Sequence, residues 1–307
     1  MNISMREALL SAVSYADIFE YPLTDEELRI WTPFIRRVST RVVGDVKKTV
    51  LRHYPSIQNI ETRRSRFLLS KTKWDRAKRV ANLLRIIPTV KLVGVTGGLT
   101  RSNARQEDDI DLLIITSSKT LWVTRAMATI LLDIFHLRRR PDEVNVSDLV
   151  CLNMFMSEDG LAVPVNERDL FAAHEVLLMT PLWDRDGVYE AFLKANLWVK
   201  KFLPNAWEEK TQNSKLKTQN HNARFKSLIV FRFLDIVLHF EICVLRLFEM
   251  PSKLVQLRYM NKHRTTEVIR DTIIRFHPHD ARVWIKRKFW AKLVRYNIPL
   301  DKIFYGR

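Results

Sequence analysis

Two aspartates separated by a single isoleucine, Asp109 and Asp111, stand directly before an apolar run, Leu112-Leu113-Ile114-Ile115. That run has the length and β-branched content of a buried strand. Side chains alternate along a strand, so the two carboxylates share one face while Ile110 points into the core. At ~3.3 Å of rise per residue they leave the chain roughly 7 Å apart along one edge, and they repel each other unless a cation lies between them. Hard oxygen ligands of this kind suit Mg²⁺ or Mn²⁺. Upstream, an earlier apolar run, Val90 to Val95, ends in Thr96-Gly97-Gly98. Glycines let the backbone approach an anion closely, and their free amides can hold phosphate oxygens. An ordinary hairpin with acids on a wet face would leave the glycine pair unexplained.

The glycine pair, a ten-residue spacer containing Arg101 and Ala104-Arg105, and Asp109-Ile110-Asp111 with its following strand together resemble the nucleotidyltransferase superfamily that includes DNA polymerase β and the minimal nucleotidyltransferases. The motif spans roughly a tenth of the chain. The resemblance implies metal-dependent transfer of a nucleoside monophosphate from a nucleoside triphosphate to a hydroxyl acceptor. Asp109 and Asp111 would hold Mg²⁺ or Mn²⁺, and Gly97 and Gly98 would cradle the β- and γ-phosphates. Arg101 or Arg105 would neutralise the leaving pyrophosphate. Gly98 lacks the hydroxyl that a serine would add there. In the family, a third acid from a neighbouring strand completes the site. The next apolar stretch, Val144 to Met156, has Asn153 at the natural position, and Asp148 is its only acid. An amide oxygen can ligate a cation but cannot take a proton. Two functions therefore stand: a nucleotidyltransferase, and a catalytically impaired nucleotide- or nucleic-acid-binding protein on the same fold.

The 307 residues suffice for a sizeable core in two or three domains, and 47% hydrophobic residues with only seven glycines indicate a globular, helix-rich chain. The net charge of +17 is uneven: residues 1–90 carry +8, residues 91–200 carry −4 and residues 201–307 carry +13. A slightly acidic centre between basic flanks suits a metal site beside polyanion-binding surface, and equally suits general solubility charge. Cys151 and Cys243 show no metal spacing and read as core thiols. No leader precedes the first helix and no span reads as transmembrane, so the cytoplasm is the expected compartment.

Around the motif, residues 5–19 read as a helix, Thr24 with Glu27 forms a capping box for a second, and a basic third runs from about Arg37 to Arg52. Residues 57–70 read as a hairpin with Arg63, Arg64 and Arg66 at its tip, which resembles a winged-helix domain able to bind DNA or to dock protein. Lys71 to Ile87 is a basic amphipathic helix closed by Pro88. Ser118 to Leu137 is a long helix, followed by Arg138-Arg139-Arg140, which would complement its dipole or grip a phosphate chain. Three adjacent arginines cannot all face one site. His174 on a later helix reads as a packed residue. Residues 205–224 read as an exposed polar loop, and Ser227 to Met250 as a buried helix in which Glu241 needs a partner, with a membrane-interface helix as the alternative. Residues 281–295 form a cationic helix whose aromatics serve a core or whose cations meet nucleic acid.

The expected fold is α+β: a winged-helix-like domain (1–70), a small mixed-sheet nucleotidyltransferase core (71–164) and a helical domain (165–307).

Overall fold

The computed structural model describes residues 3–51, 60–140, 143–212, 240–262, 267–276 and 281–306. It is an α+β fold organised on one six-stranded mixed sheet of order β4-β1-β2-β3-β6-β5. The strands are β1 Val90–Val95, β2 Ile110–Thr116, β3 Val150–Ser157, β4 Thr180–Asp184, β5 Val268–Arg270 and β6 Ile273–Arg275. The β2–β3 pair is parallel, and every other neighbouring pair is antiparallel. A parallel pair needs a crossover, which α5 (Leu121–Ile134) supplies.

The alternation of β2 builds two cores. Ile110, Leu112 and Ile114 face one side and pack with the long helix α4 (Ile60–Leu84) and α5. Leu113 and Ile115 face the other side, as Asp111 does by the same alternation. That second core joins α1 (Met5–Asp17), α6 (Leu170–Leu178), α7 (Val188–Ala195), α12 (Ala281–Val294) and α13 (Leu300–Phe304). Between them the chain adds α8 (Val199–Phe202), the helical residues 204–212 (α9) and 240–247 (α10), and α11 (Glu249–Met260).

The N-terminal helices form as their sequence dictates. Ser4 and Glu7 close a capping box on α1, and Thr24 and Glu27 close another on α2 (Asp25–Trp31). The basic third helix is α3, Thr40–Leu51. The expected wing does not form. From Ile60 onward the chain continues as α4, and residues 57–59 lie outside those described. The segment Ile60–Ser70 contains no Gly, Pro or Asn to turn it, and Arg and Leu favour a helix. Arg63 then reaches back to the Glu27 carboxylate with two bonds of 2.7 Å, tying α4 to α2. The winged-helix expectation is therefore not met. The N-terminal helices also share their core with the C-terminal α12 and α13, so the three expected parts are not mirrored in separate cores.

The C-terminal region expected to be a helical domain donates three strands to the sheet. After α6 the chain forms β4, which pairs with β1. The alternating Val268-Ile-Arg-Asp-Thr-Ile-Ile-Arg275 forms the β5–β6 hairpin, which pairs with β3. Residues 205–212, expected in an exposed loop, are helical and bury Ala206 and Trp207; the rest of that loop lies outside the described residues. The described part of the Ser227–Met250 helix is largely exposed, Glu241 and Leu247 included, and does not form the expected buried helix. Its continuation has a defined role. The Glu249 carboxylate accepts from Trp122 N and Val123 N and caps α5, whose own Thr120 makes no side-chain cap. Among the described residues no helix is long and apolar enough to cross a membrane.

Candidate functional site

The site forms at the end of β1 and the start of β2. After Thr96 the chain turns through a short 3-10 helix, Gly97–Arg101. Gly97 has φ +70°, and a Cβ placed there would lie 2.5 Å from Asp111 Oδ2. Glycine is thus required twice, by conformation and by space. Gly98 has open space where a Cβ would stand. Thr96 N donates to Asp111 O at 3.0 Å, which fixes the glycine turn against the acid strand.

Asp109 and Asp111 converge as expected. Together with Cys151 they offer three ligand atoms that all lie within 4.8 Å of one another. Asp111 titrates abnormally: burial first, and the Asp109 charge second, push its carboxyl up to about 7. Glu175 raises it further, while a hydrogen bond from the Cys151 thiol and the charge of Arg139 oppose the rise. Such a cluster gains most from a cation, because one positive charge relieves both desolvation and mutual repulsion. Asp109, Asp111 and Cys151 could together hold a metal ion through two carboxylate oxygens and a sulfur. Burial and the two aspartates raise the Cys151 thiol well above its usual range, so it is a hydrogen-bond donor to Asp111 rather than a thiolate.

No family model matches the chain, and neither a curated protein nor a solved structure matches it.

Neither residue expected to supply the third acid pairs with Asp111. In the parallel β2–β3 register the partner of Asp111 is Cys151. Asp148 is held by Lys73 Nζ at 2.7 Å, and that buried ammonium also binds the carbonyl of Asp108 at 2.6 Å. Asp148 therefore braces the loop ahead of β2. Asn153 lies two residues past Cys151, buried, with its Oδ1 unpaired among the described residues, on the wall of a cavity of about 100 Å³ shared with Thr96 and Glu175. Of the two spacer arginines, Arg105 is exposed and binds Glu20 at 3.0 Å. Arg101 lies over the rings of Phe19 and Tyr15, with its guanidinium carbon 4.6 Å and 5.8 Å from their centroids.

Three participants were not read from sequence. Cys151 was taken as a core thiol. Arg139 donates to Asp109 Oδ2 at 2.7 Å. It can do so because residues 137–139 run extended beside Val150, with Arg139 N bonded to Val150 O, so neighbouring side chains alternate. Arg138 and Arg140 consequently turn the other way, to Asp133. Glu175 is raised by burial, with Arg101 the charge that opposes the rise. Its neighbour His174 is packed as expected, between the rings of Tyr15 and Trp31 at 4.1 and 5.3 Å, and burial lowers it to about 3 so that it stays neutral.

Proposed function

We propose that the protein transfers a nucleoside monophosphate from a nucleoside triphosphate to a hydroxyl acceptor. The observation that carries this reading is the convergence of Asp109 and Asp111 beside a glycine whose Cβ would strike Asp111. A strand-end acid pair pressed against a left-handed glycine places carboxylate oxygens next to free backbone amides, which is what a metal–triphosphate complex needs. Asp109 and Asp111 hold the divalent ion, which when bound screens the phosphate charge and polarises the phosphoryl group. The amides of the Gly97–Gly98 turn hold the terminal phosphates. The acceptor oxygen attacks the α-phosphorus, the bond to the β-phosphate oxygen breaks, and pyrophosphate leaves. Glu175 accepts the hydroxyl proton, because β3 offers no carboxylate at the register of Asp111 and Glu175 is an acid desolvated by burial, with Arg101 as its opposing charge. Burial raises its carboxyl, which makes it a better proton acceptor than an ordinary surface acid.

A second reading is favoured by Arg139 and Cys151. A guanidinium already neutralises Asp109, and a thiol stands opposite Asp111, so the same pocket would bind nucleotide without turnover.

The test is incubation of the full chain with each α-labelled triphosphate and Mg²⁺ or Mn²⁺, water serving as acceptor where no other is present. Transfer predicts labelled monophosphate product and pyrophosphate, both lost in Asp109→Asn. Metal-dependent binding of nucleotide with no product supports the second reading, and no binding of any triphosphate sinks both.

A further inference from the structure

Beyond the acid pair, the 3-10 turn that begins at Gly97 ends in the wall of the larger cavity, about 330 Å³. Thr100, Arg101 and Ser102 form one side of it; the rings of Tyr15, Tyr21 and Trp31 form much of the rest. At about 2.0 Å of rise per residue, Arg101 stands roughly 8 Å along the turn from Gly97. The cavity thus starts where a chain of phosphates anchored at the glycine pair would end.

The charges around this cavity are not alike. Arg63 is bound by Glu27 in a fork, and Arg66 and Arg105 both bind Glu20. Arg101 has no carboxylate at ion-pair distance among the described residues; it rests on the Phe19 and Tyr15 rings instead. A guanidinium held by ring faces keeps its N–H fork available for an anion. Aromatic walls beside a cation with no carboxylate at ion-pair distance among the described residues match a ligand with a planar ring at one end and a phosphate at the other. His174, neutral and stacked between Tyr15 and Trp31, makes that wall rigid without adding charge.

We propose that this cavity receives the nucleobase and sugar of the triphosphate, stacked against the Tyr21 and Trp31 wall, with Arg101 at its mouth binding the adjoining phosphate. The assignment rests on the triphosphate reading of the acid site and names the pocket that reads the nucleoside. The N-terminal helices, expected to bind DNA or dock protein, become the nucleoside-binding wall of the site.

Equilibrium dialysis of the full chain against labelled adenosine, guanosine, cytidine and uridine, against ATP and against inorganic tripolyphosphate, all in EDTA, separates the parts. At least one nucleoside should bind without metal. Trp31→Leu should weaken that nucleoside and its triphosphate about tenfold, as expected for loss of one stacking face, and leave tripolyphosphate unchanged. Arg101→Met should weaken ATP and tripolyphosphate about tenfold, as expected for loss of a charge-assisted contact, and leave the nucleoside unchanged. If Trp31→Leu does not fold, Leu23→Trp fills the cavity from its loop and should block the nucleoside alone. The proposal is overturned if no nucleoside binds, if folded variants bind every probe as the wild type does, or if a trinucleotide competes where triphosphates do not. Failure of the transfer reading looks different: nucleoside binding intact with no product formed.

Discussion

Asp111 is the residue whose replacement separates a metal-binding acid from a merely structural one. Its carboxyl is moved from an ordinary 3.8 up to about 7, first by burial and then by Asp109. The sign follows from proton binding. Below about pH 4 the group is protonated in both the folded and the unfolded chain and contributes nothing. Between about pH 4 and 7 the unfolded chain releases the proton while the folded chain keeps it, so stability falls as pH rises. Above about 7 both forms are ionised and the full deficit remains. At ~1.36 kcal/mol per pH unit the deficit is at most about 4 kcal/mol, and solvent screening of this part-exposed carboxylate brings the working figure to about 2 kcal/mol. Asp111→Asn should therefore stabilise the metal-free protein at pH 8. For a chain of 307 residues that corresponds to a Tm higher by about 3 °C, at ~2.1 cal/mol/K of unfolding entropy per residue, with the gain vanishing as the pH is lowered towards 4. Divalent cation should do for the wild type what the mutation does. At a hundred times its Kd, Mn²⁺ should add about 2.7 kcal/mol at pH 8, and it should add far less to Asp111→Asn. Thermal melts in EDTA and in Mn²⁺ across pH 4–8 read all of this. A variant less stable than wild type at pH 8, or equal Mn²⁺ stabilisation of both proteins, would refute the reasoning.

Gly97→Ala should cost about 1–3 kcal/mol, from the positive φ and the collision with Asp111 Oδ2, and should abolish the Mn²⁺ response; Gly98→Ser, with open space at its Cβ, should be tolerated, both read by chemical denaturation. Arg139→Gln removes the guanidinium that competes for Asp109; Mn²⁺ should bind about two- to five-fold tighter, the yield of one partly exposed ion pair, in an electron paramagnetic resonance titration. Glu175→Gln should lower the transfer rate about 10²–10⁴-fold, the range for a lost general base, with triphosphate affinity unchanged in equilibrium dialysis.

The parts of the molecule legible in sequence are those specified locally. The capping boxes at Ser4–Glu7 and Thr24–Glu27 contain their own hydrogen-bond partners within three residues. Asp109-Ile110-Asp111 states its own alternation, and Ile110 is indeed fully buried. The missed parts depend on register or on distant packing. Cys151 meets Asp111 only because β3 pairs in parallel at that offset, and counting along the strand pointed to Asn153 instead. Glu175 lies on a helix 64 residues beyond Asp111 in the chain, and nothing in its neighbourhood marks it. Arg139 was recoverable: an extended Arg-Arg-Arg run must turn its middle member away from the other two. The hairpin expected over 57–70 rested on clustered arginines suggesting a tip, although the segment Ile60–Ser70 has no Gly, Pro, Asn or Asp. The β5–β6 hairpin was missed because Asp271-Thr272 is a weak turn marker inside a basic, aromatic region.

The central claim is that the paired aspartates and the glycine turn together hold a metal–triphosphate complex. A crystal of the full chain grown with Mn²⁺ and an α,β-methylene triphosphate, mapped at the manganese anomalous edge, tests it directly. The expected map has a manganese peak bonded to both Asp109 and Asp111, with phosphate oxygens on the amides of the Gly97–Gly98 turn. A peak bound elsewhere, or nucleotide seated with no metal between the two carboxylates, would contradict it.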